Sequence, residues 1–340
     1  MLKIRVEDAL GSVLLHDMTQ IIPGKVKDVR FRKGHVVKAE DIPVLLSMGK
    51  ENLFVWDQVP GLIHEDEAAM RLAQAVAGQG LSLGEPKEGK VNLIADEDGL
   101  LYAQKAGIVA LNSLEHVVLA TLHNHTPVKK GQKIAGTRVV PLMIEEEIVR
   151  EAEGRASKYK ERLLQIRPLQ SKKVGIVITG SEVYHGRITD KFGPVLHSKV
   201  TAWGSVVMGQ SYADDKAEMI QAQIYEHLAN GAEMILVTGG MSVDPDDVTP
   251  TAIKGIGAEV VTYGAPVLPG AMFLLAYRNG IPIMGLPGCV MYSRITVFDL
   301  VAARILAGER LTRADIVKYG HGGLCLECKT CVYPNCSFGK

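Results

Sequence analysis

The chain has 340 residues, 47% hydrophobic and 22% charged, which suits two or three domains with substantial cores. Its 38 Lys and Arg balance 38 Asp and Glu without any basic block, which argues against a nucleic-acid partner. No uninterrupted apolar run approaches the roughly 20 residues of a membrane span. The opening MLKIRVEDALGSVLLHD carries acids inside its apolar stretch, unlike a signal peptide, so a cytoplasmic protein without membrane contact is expected.

Residues 1–60 contain short apolar runs broken by Gly and Pro, as in IIPGKVKDVRFRKGHVV, and read as a small β-rich unit. EDIPVLLSMGKENLFVW offers a short helix, Gly49 as its stop, and a strand. A longer α+β region follows over 61–170. In it, HEDEAAMRLAQAVAG reads as a helix with acids in its first turn and Gly78 at its end. VNLIADEDGLLYA and HVVLATL read as strands, and VKKGQKIAG as a turn-rich link. IEEEIVREAEGRASKYKERLLQI reads as a connecting helix interrupted at Gly154.

The pattern changes near Pro168. KVGIVITG is a compact β-branched strand of the kind buried on both faces of a parallel sheet. GSVVMGQSY is a second strand, and DDKAEMIQAQIYEHLANG an amphipathic helix with Asp214 or Asp215 near its N-cap and Gly231 past its end. AEMILVTGG is the next strand, and TPTAIKGIG a short helix with Pro250 near its start. Asn279-Gly280 between two apolar runs is a hairpin signal, and YSRITVFDLVAARILAG closes with a helix ending near Gly308. This alternation predicts an α/β domain over 171–310, a doubly wound and mostly parallel sheet, with its ligand beyond the C-terminal ends of the strands.

Three strand ends in that domain carry loop chemistry: TGSE at 179–182, TGGMSVDPDD at 238–247 and GLPGC at 285–289. Gly-rich loops expose backbone amides that hold phosphate without a clashing side chain. Acids in two of them, Glu182 in one and Asp244, Asp246 and Asp247 in the other, suit a hard cation bridging carboxylate and phosphate. The plainer reading is that these acids are helix caps or solvated turn residues.

These loops, in this order, resemble the molybdopterin-binding domain shared by MoeA-type and MogA-type molybdenum cofactor proteins. The matching segments are VITGSEV…GRITD, LVTGGMSVDPDDVTP, APVLPG and GIPIMGLPG, within about 171–305. TGGMSV is similar to the MoeA version of its loop and DDVTP to the MogA version. The resemblance implies a MogA-like fold that holds molybdopterin or its adenylate. It implies either adenylyl transfer from MgATP or molybdate insertion with release of AMP. By the same resemblance Glu182, Asp190 and Asp247 are the catalytic acids, with Glu182 and Asp247 positioning Mg²⁺ or molybdate. Thr179, Gly180, Ser181, Thr238, Gly239, Gly240, Ser242, Asp244, Pro269, Gly270, Pro287 and Gly288 would surround the pterin and its phosphate. Two departures stand out. Residues 1–170 hold no DGYA-like stretch of the MoeA kind, and LPGC replaces the usual LPGNP. Cys289 is read as a packing residue that could also face the dithiolene.

Residues 311–340 form a Cys-rich tail. Cys325, Cys328, Cys331 and Cys336 follow a C-x2-C-x2-C-x4-C spacing, and four thiolates suit either a tetrahedral Zn²⁺ site or a [4Fe–4S] cluster. Nothing else in the tail is expected to build a core, so metal would supply its order. HNH at 123–125 reads as a turn. Two functions compete: an enzyme of cofactor maturation, homo-oligomeric and handing product to a molybdoenzyme client, and a non-catalytic pterin carrier, sensor or chaperone.

Overall fold

The computed structural model describes residues 2–22, 24, 26–55, 60–159, 161–242, 244 and 247–340. The chain separates into two compact units. The first comprises Met1–Asp96, Ala103–Leu122 and Lys130–Gln165, and the second comprises Glu97–Tyr102, His123–Lys129 and Ile166–Lys340.

In the first unit, the helix Asp41–Ser47 packs on the strands Leu2–Arg5, Met18–Ile22, Val26–Phe31 and Asn52–Val55 around a small core that includes Val6, Leu14, Leu45 and Leu53. Helix Glu65–Val76 has three acids in its first turn, next to unpaired amide groups, and His64 caps it by accepting from the Asp66 amide. Four antiparallel strands, Leu81–Leu83, Lys90–Ala95, Lys133–Val139 and Val117–Thr121, form its main sheet. The turn-rich link therefore becomes strand from Lys133 onward. Two further expectations differ. Gly154 does not interrupt its helix, which runs over Glu146–Ser157; a Cβ at that position would meet nothing within 4 Å, so the glycine is simply a tolerated surface residue. The end of the same segment, Leu164–Arg167, is a strand instead of a helix.

The second unit is an α/β domain. Its sheet contains β1 (Lys173–Thr179), β2 (Val206–Ala213), β3 (Met234–Thr238), β4 (Glu259–Tyr263), β5 (Leu274–Arg278) and β6 (Ile281–Leu286). The strand order is β2-β1-β3-β6-β5-β4. The pairs β1–β2, β1–β3 and β3–β6 are parallel, and β5 runs antiparallel to both of its neighbours. The β5–β6 hairpin turns at Asn279 (φ 49°) and Gly280 (φ 82°), as Asn-Gly demands.

Alternation along the strands divides the interior into two cores. Ile176, Ile178, Leu236 and Met284 face one side, with helices α1 (Phe192–Ala202) and α4 (Val297–Leu306). Val177, Ile235, Val237 and Ile283 face the other, with α2 (Ala217–Ala229) and α3 (Thr249–Gly255). The tail has no separate core, but it is anchored on the domain, where metal alone was expected to supply its order. Phe338 is 3% exposed and joins the first core, with Cys325, Tyr333 and Cys336 packed against it. Leu324 pairs with Leu268 as a parallel bridge, and the Cys325 amide donates to the Leu268 carbonyl at 2.8 Å. Among the described residues no helix is long and apolar enough to cross a membrane.

Candidate functional site

Parallel pairing puts the C-terminal ends of β1, β2, β3 and β6 on one edge of the sheet. Because β5 is antiparallel to both β4 and β6, the end of β4 lies on that edge too. The loops at 179–182, 214–215, 238–249, 264–270 and 286–289 therefore open on the same side. This is the crevice where an open α/β sheet binds its ligand.

The ends of β1 and β3 are locked together. Thr179 is buried and its hydroxyl donates to the Thr238 carbonyl at 2.7 Å. Gly239 follows with φ 80°, and a Cβ there would sit 2.5 Å from the Thr179 carbonyl oxygen. Gly240, φ 54°, lies against the Thr249 hydroxyl. Both glycines are thus required by left-handed backbone and by close approach. Thr238 is fully buried and, among the described residues, its Oγ1 has no hydrogen-bond partner. An orphaned buried hydroxyl at a strand end is costly in itself and suits a bound polar group.

The three expected catalytic acids stand in different situations. Asp190 accepts from the amides of Phe192 at 2.8 Å and Gly193 at 3.0 Å through one oxygen, and from Gln210 Nε2 at 3.0 Å through the other. It caps the start of α1. Asp247 and Asp244 fold the 238–249 loop onto itself. The Asp244 amide donates to the Asp247 carboxylate at 3.0 Å, and the Asp247 amide to the Asp244 carbonyl at 2.9 Å. Asp246 lies outside the described residues. Glu182 is exposed on the short helical turn Ser181–Tyr184, its carboxylate close to Gly180.

Asp214 and Asp215 do not cap α2, whose N-cap is Lys216. Asp215 instead accepts from the Ser181 amide at 2.7 Å, tying the end of β2 to the first Gly-rich loop. Asp214 pairs with Lys216 at 3.1 Å, and that contact holds its carboxyl below the usual range. A further unexpected participant is Tyr263. Its hydroxyl donates to the carbonyls of Met241 at 3.0 Å and Ser242 at 3.2 Å, and burial followed by the Asp247 charge raises its pKa. The acidic pair at the strand end was visible in the sequence, but nothing there signalled Tyr263.

At the remaining two loops the geometry diverges. Gly288 is exposed, and a Cβ there would meet nothing within 4 Å, so its backbone faces open space. Pro287 is buried beneath it. The following segment is pinned by Lys199, which donates to the Arg294 carbonyl at 2.7 Å and pairs with buried Asp299. Burial, first of all, raises the Asp299 pKa, against the pull of Lys199. Cys289 is half-buried and burial pushes its thiol up, in keeping with a packing role. Gly270 has φ 125° and packs on Val297, while Pro269 turns toward the tail. Among the described residues no three His, Cys, Asp or Glu side chains are grouped as a metal ion would need, at these loops or in the tail.

Residues 175–307 match the family model described as a probable molybdopterin binding domain, and residues 3–57 match a domain of unknown function, DUF8806. The chain is 32% identical over 92 residues to a CinA-like protein of Mycobacterium sp. (strain MCS), covering 27% of this chain and 22% of that one. It is 23% identical over 167 residues to a molybdopterin molybdenumtransferase of Staphylococcus epidermidis, covering 45% and 39%. The chain thus spans well under half the length of either relative. Among solved structures, the molybdopterin biosynthesis enzyme MoaB of Thermus thermophilus aligns with a TM-score of 0.34 at 19% identity, over 41% of this chain and 98% of that one. The resemblance read from the loop motifs and the family match fall on the same segment: residues 175–307, within the second unit, are similar to a probable molybdopterin binding domain.

Proposed function

We propose that the second unit holds molybdopterin, or its adenylate, on the edge formed by the loops at 179–182, 238–249 and 286–289, and acts there in cofactor maturation. The observation that carries this is the left-handed Gly239-Gly240 pair beside the orphaned Thr238 hydroxyl, on the same edge as open Gly288. Backbone amides at these glycines suit the terminal phosphate. Mg²⁺ would supply charge neutralisation between phosphate oxygens. Glu182 and Asp247 are the acids placed to hold it or molybdate, while Asp190 orients the start of α1. The reaction is adenylyl transfer from ATP or molybdate insertion with release of AMP, carried out by a homo-oligomer that passes its product to a molybdoenzyme.

A second reading, a pterin carrier without turnover, is favoured by Asp190 being fully engaged as a helix cap. Incubating the purified protein with molybdopterin, MgATP and molybdate separates the two. Formation of adenylated pterin, or molybdenum retained with AMP released, supports catalysis. Tight pterin retention without either product supports the carrier. Failure to retain pterin at all refutes both.

A further inference from the structure

The four tail cysteines have no part in the pterin site, yet all four line a single cavity of about 530 Å³. The floor of that cavity is fixed. Cys325 and Cys336 pack on the domain core beside Phe338, and the tail is hydrogen-bonded to the turn at Leu268 through Cys325 and Gly323, each at 2.8 Å. Gly339 closes the loop by donating to the Gly322 carbonyl at 2.9 Å. Cys328 is exposed and Cys331 half-buried, and none of the four is in a disulfide.

Ligand spacing discriminates between guests. A tetrahedral Zn²⁺ with Zn–S near 2.3 Å draws its thiolates to within about 3.8 Å of one another. A [4Fe–4S] cluster spreads its four thiolates over the corners of a larger core, and all four cysteines line one cavity of about 530 Å³. The C-x2-C-x2-C run supplies three ligands of one cluster in bacterial ferredoxins, where the next Cys, after three residues, serves the other cluster; here Cys336 follows after four residues and lines the same cavity as the first three. Charge agrees: a cluster with four thiolates is anionic. Arg294 and Lys329 line the wall against one acid, Glu327, and the Lys340 ammonium lies within electrostatic reach of Cys336. We propose that Cys325, Cys328, Cys331 and Cys336 hold a [4Fe–4S] cluster, the four thiols releasing their protons as they bind.

The test uses the full chain, purified without oxygen and reconstituted with equal amounts of ferrous and ferric iron and with sulfide. The expected result is about four irons and four labile sulfides per chain, with broad visible absorption that bleaches on reduction. Cys328→Ala and Cys331→Ala should each lose most of the iron. Cys328 is exposed, so its variant should melt at the parental temperature, separating cluster loss from misfolding. Cys289→Ala, outside the cavity, should keep the full complement. One zinc per chain without sulfide overturns the proposal. So do four thiols that titrate freely after reconstitution, or equal iron in the parent and the Cys328→Ala variant.

Discussion

Gly288→Ala separates ligand binding from folding. The residue is exposed, its φ is not in the left-handed region, and an added Cβ meets nothing within 4 Å. Stability should therefore change by no more than about 0.5 kcal/mol. Gly239→Ala is the contrast. Its φ of 80° would cost an alanine about 1–2 kcal/mol, and its Cβ would press 2.5 Å from the Thr179 carbonyl oxygen. That contact with backbone adds an overpacking cost of about 1–3 kcal/mol. The sum, about 2–5 kcal/mol, is a large share of the roughly 5–15 kcal/mol that holds a domain folded. The assay pairs thermal melting with molybdopterin binding by equilibrium dialysis. Gly288→Ala should melt with the parent yet bind at least about tenfold more weakly, a loss of about 1.4 kcal/mol. Gly239→Ala should lose stability and binding together. Parental affinity in Gly288→Ala, at parental melting temperature, would remove the 286–289 loop from the pterin site.

Asp247→Asn keeps an acceptor for the Asp244 amide, so melting should hold while turnover with MgATP or molybdate falls about 10²-fold; equal turnover leaves Asp247 as a loop cap. His125 sits in a buried network with Tyr102, Glu309 and Arg304, and burial, then the Arg304 charge, lowers its pKa to about 4. It folds neutral while the unfolded chain protonates near 6.5, so its contribution is intact above that pH and is lost as pH falls toward 4, by up to about 3 kcal/mol. His125→Asn, which tolerates the φ of 59° at this position, should flatten the stability profile between pH 6.5 and 4, and an unchanged slope refutes the assignment. Phe338→Ala should destabilise the second unit by about 3–5 kcal/mol, read by calorimetry, because that ring is 3% exposed in its core; parental melting would mean that the tail is only loosely attached.

The second unit was legible because its signals are local and redundant. A β-branched run such as KVGIVITG admits little but a buried strand, and Asn279-Gly280 fixes its hairpin through backbone preference alone. What was missed depends on partners far away in sequence. Strand β4 has a mixed face, with Val260 exposed and Thr262 buried, and is defined by pairing with β5. The helix Lys105–Asn112 lies between two segments that read as strands and carries no signal of its own, and at its Gly107 Leu163 and Tyr159 leave no room for a Cβ. The tail misled for the same reason: one phenylalanine in a polar, Gly-rich stretch gives no periodicity, and only the body of the domain supplies the rest of its core.

At the site, residue types were legible but their allegiances were not. Composition reveals an acid at a strand end; it does not reveal which donors will claim the carboxylate. Asp190 is claimed by two amides and Gln210, so recruiting it to a cation would uncap α1 and leave buried donors unpaired, at about 1–3 kcal/mol each. Among the described residues Asp247 accepts only from the Asp244 amide, through one oxygen. Among the described residues no donor reaches the Glu182 carboxylate, which stands beside Gly180 at the end of β1. A cation arriving with a phosphate therefore meets Glu182 without displacing anything, can share Asp247, and would have to break the fold locally to reach Asp190. On the proposed function, Glu182 and Asp247, on the loops after β1 and β3, would be the pair that holds the cation, with Asp190 keeping α1 in place.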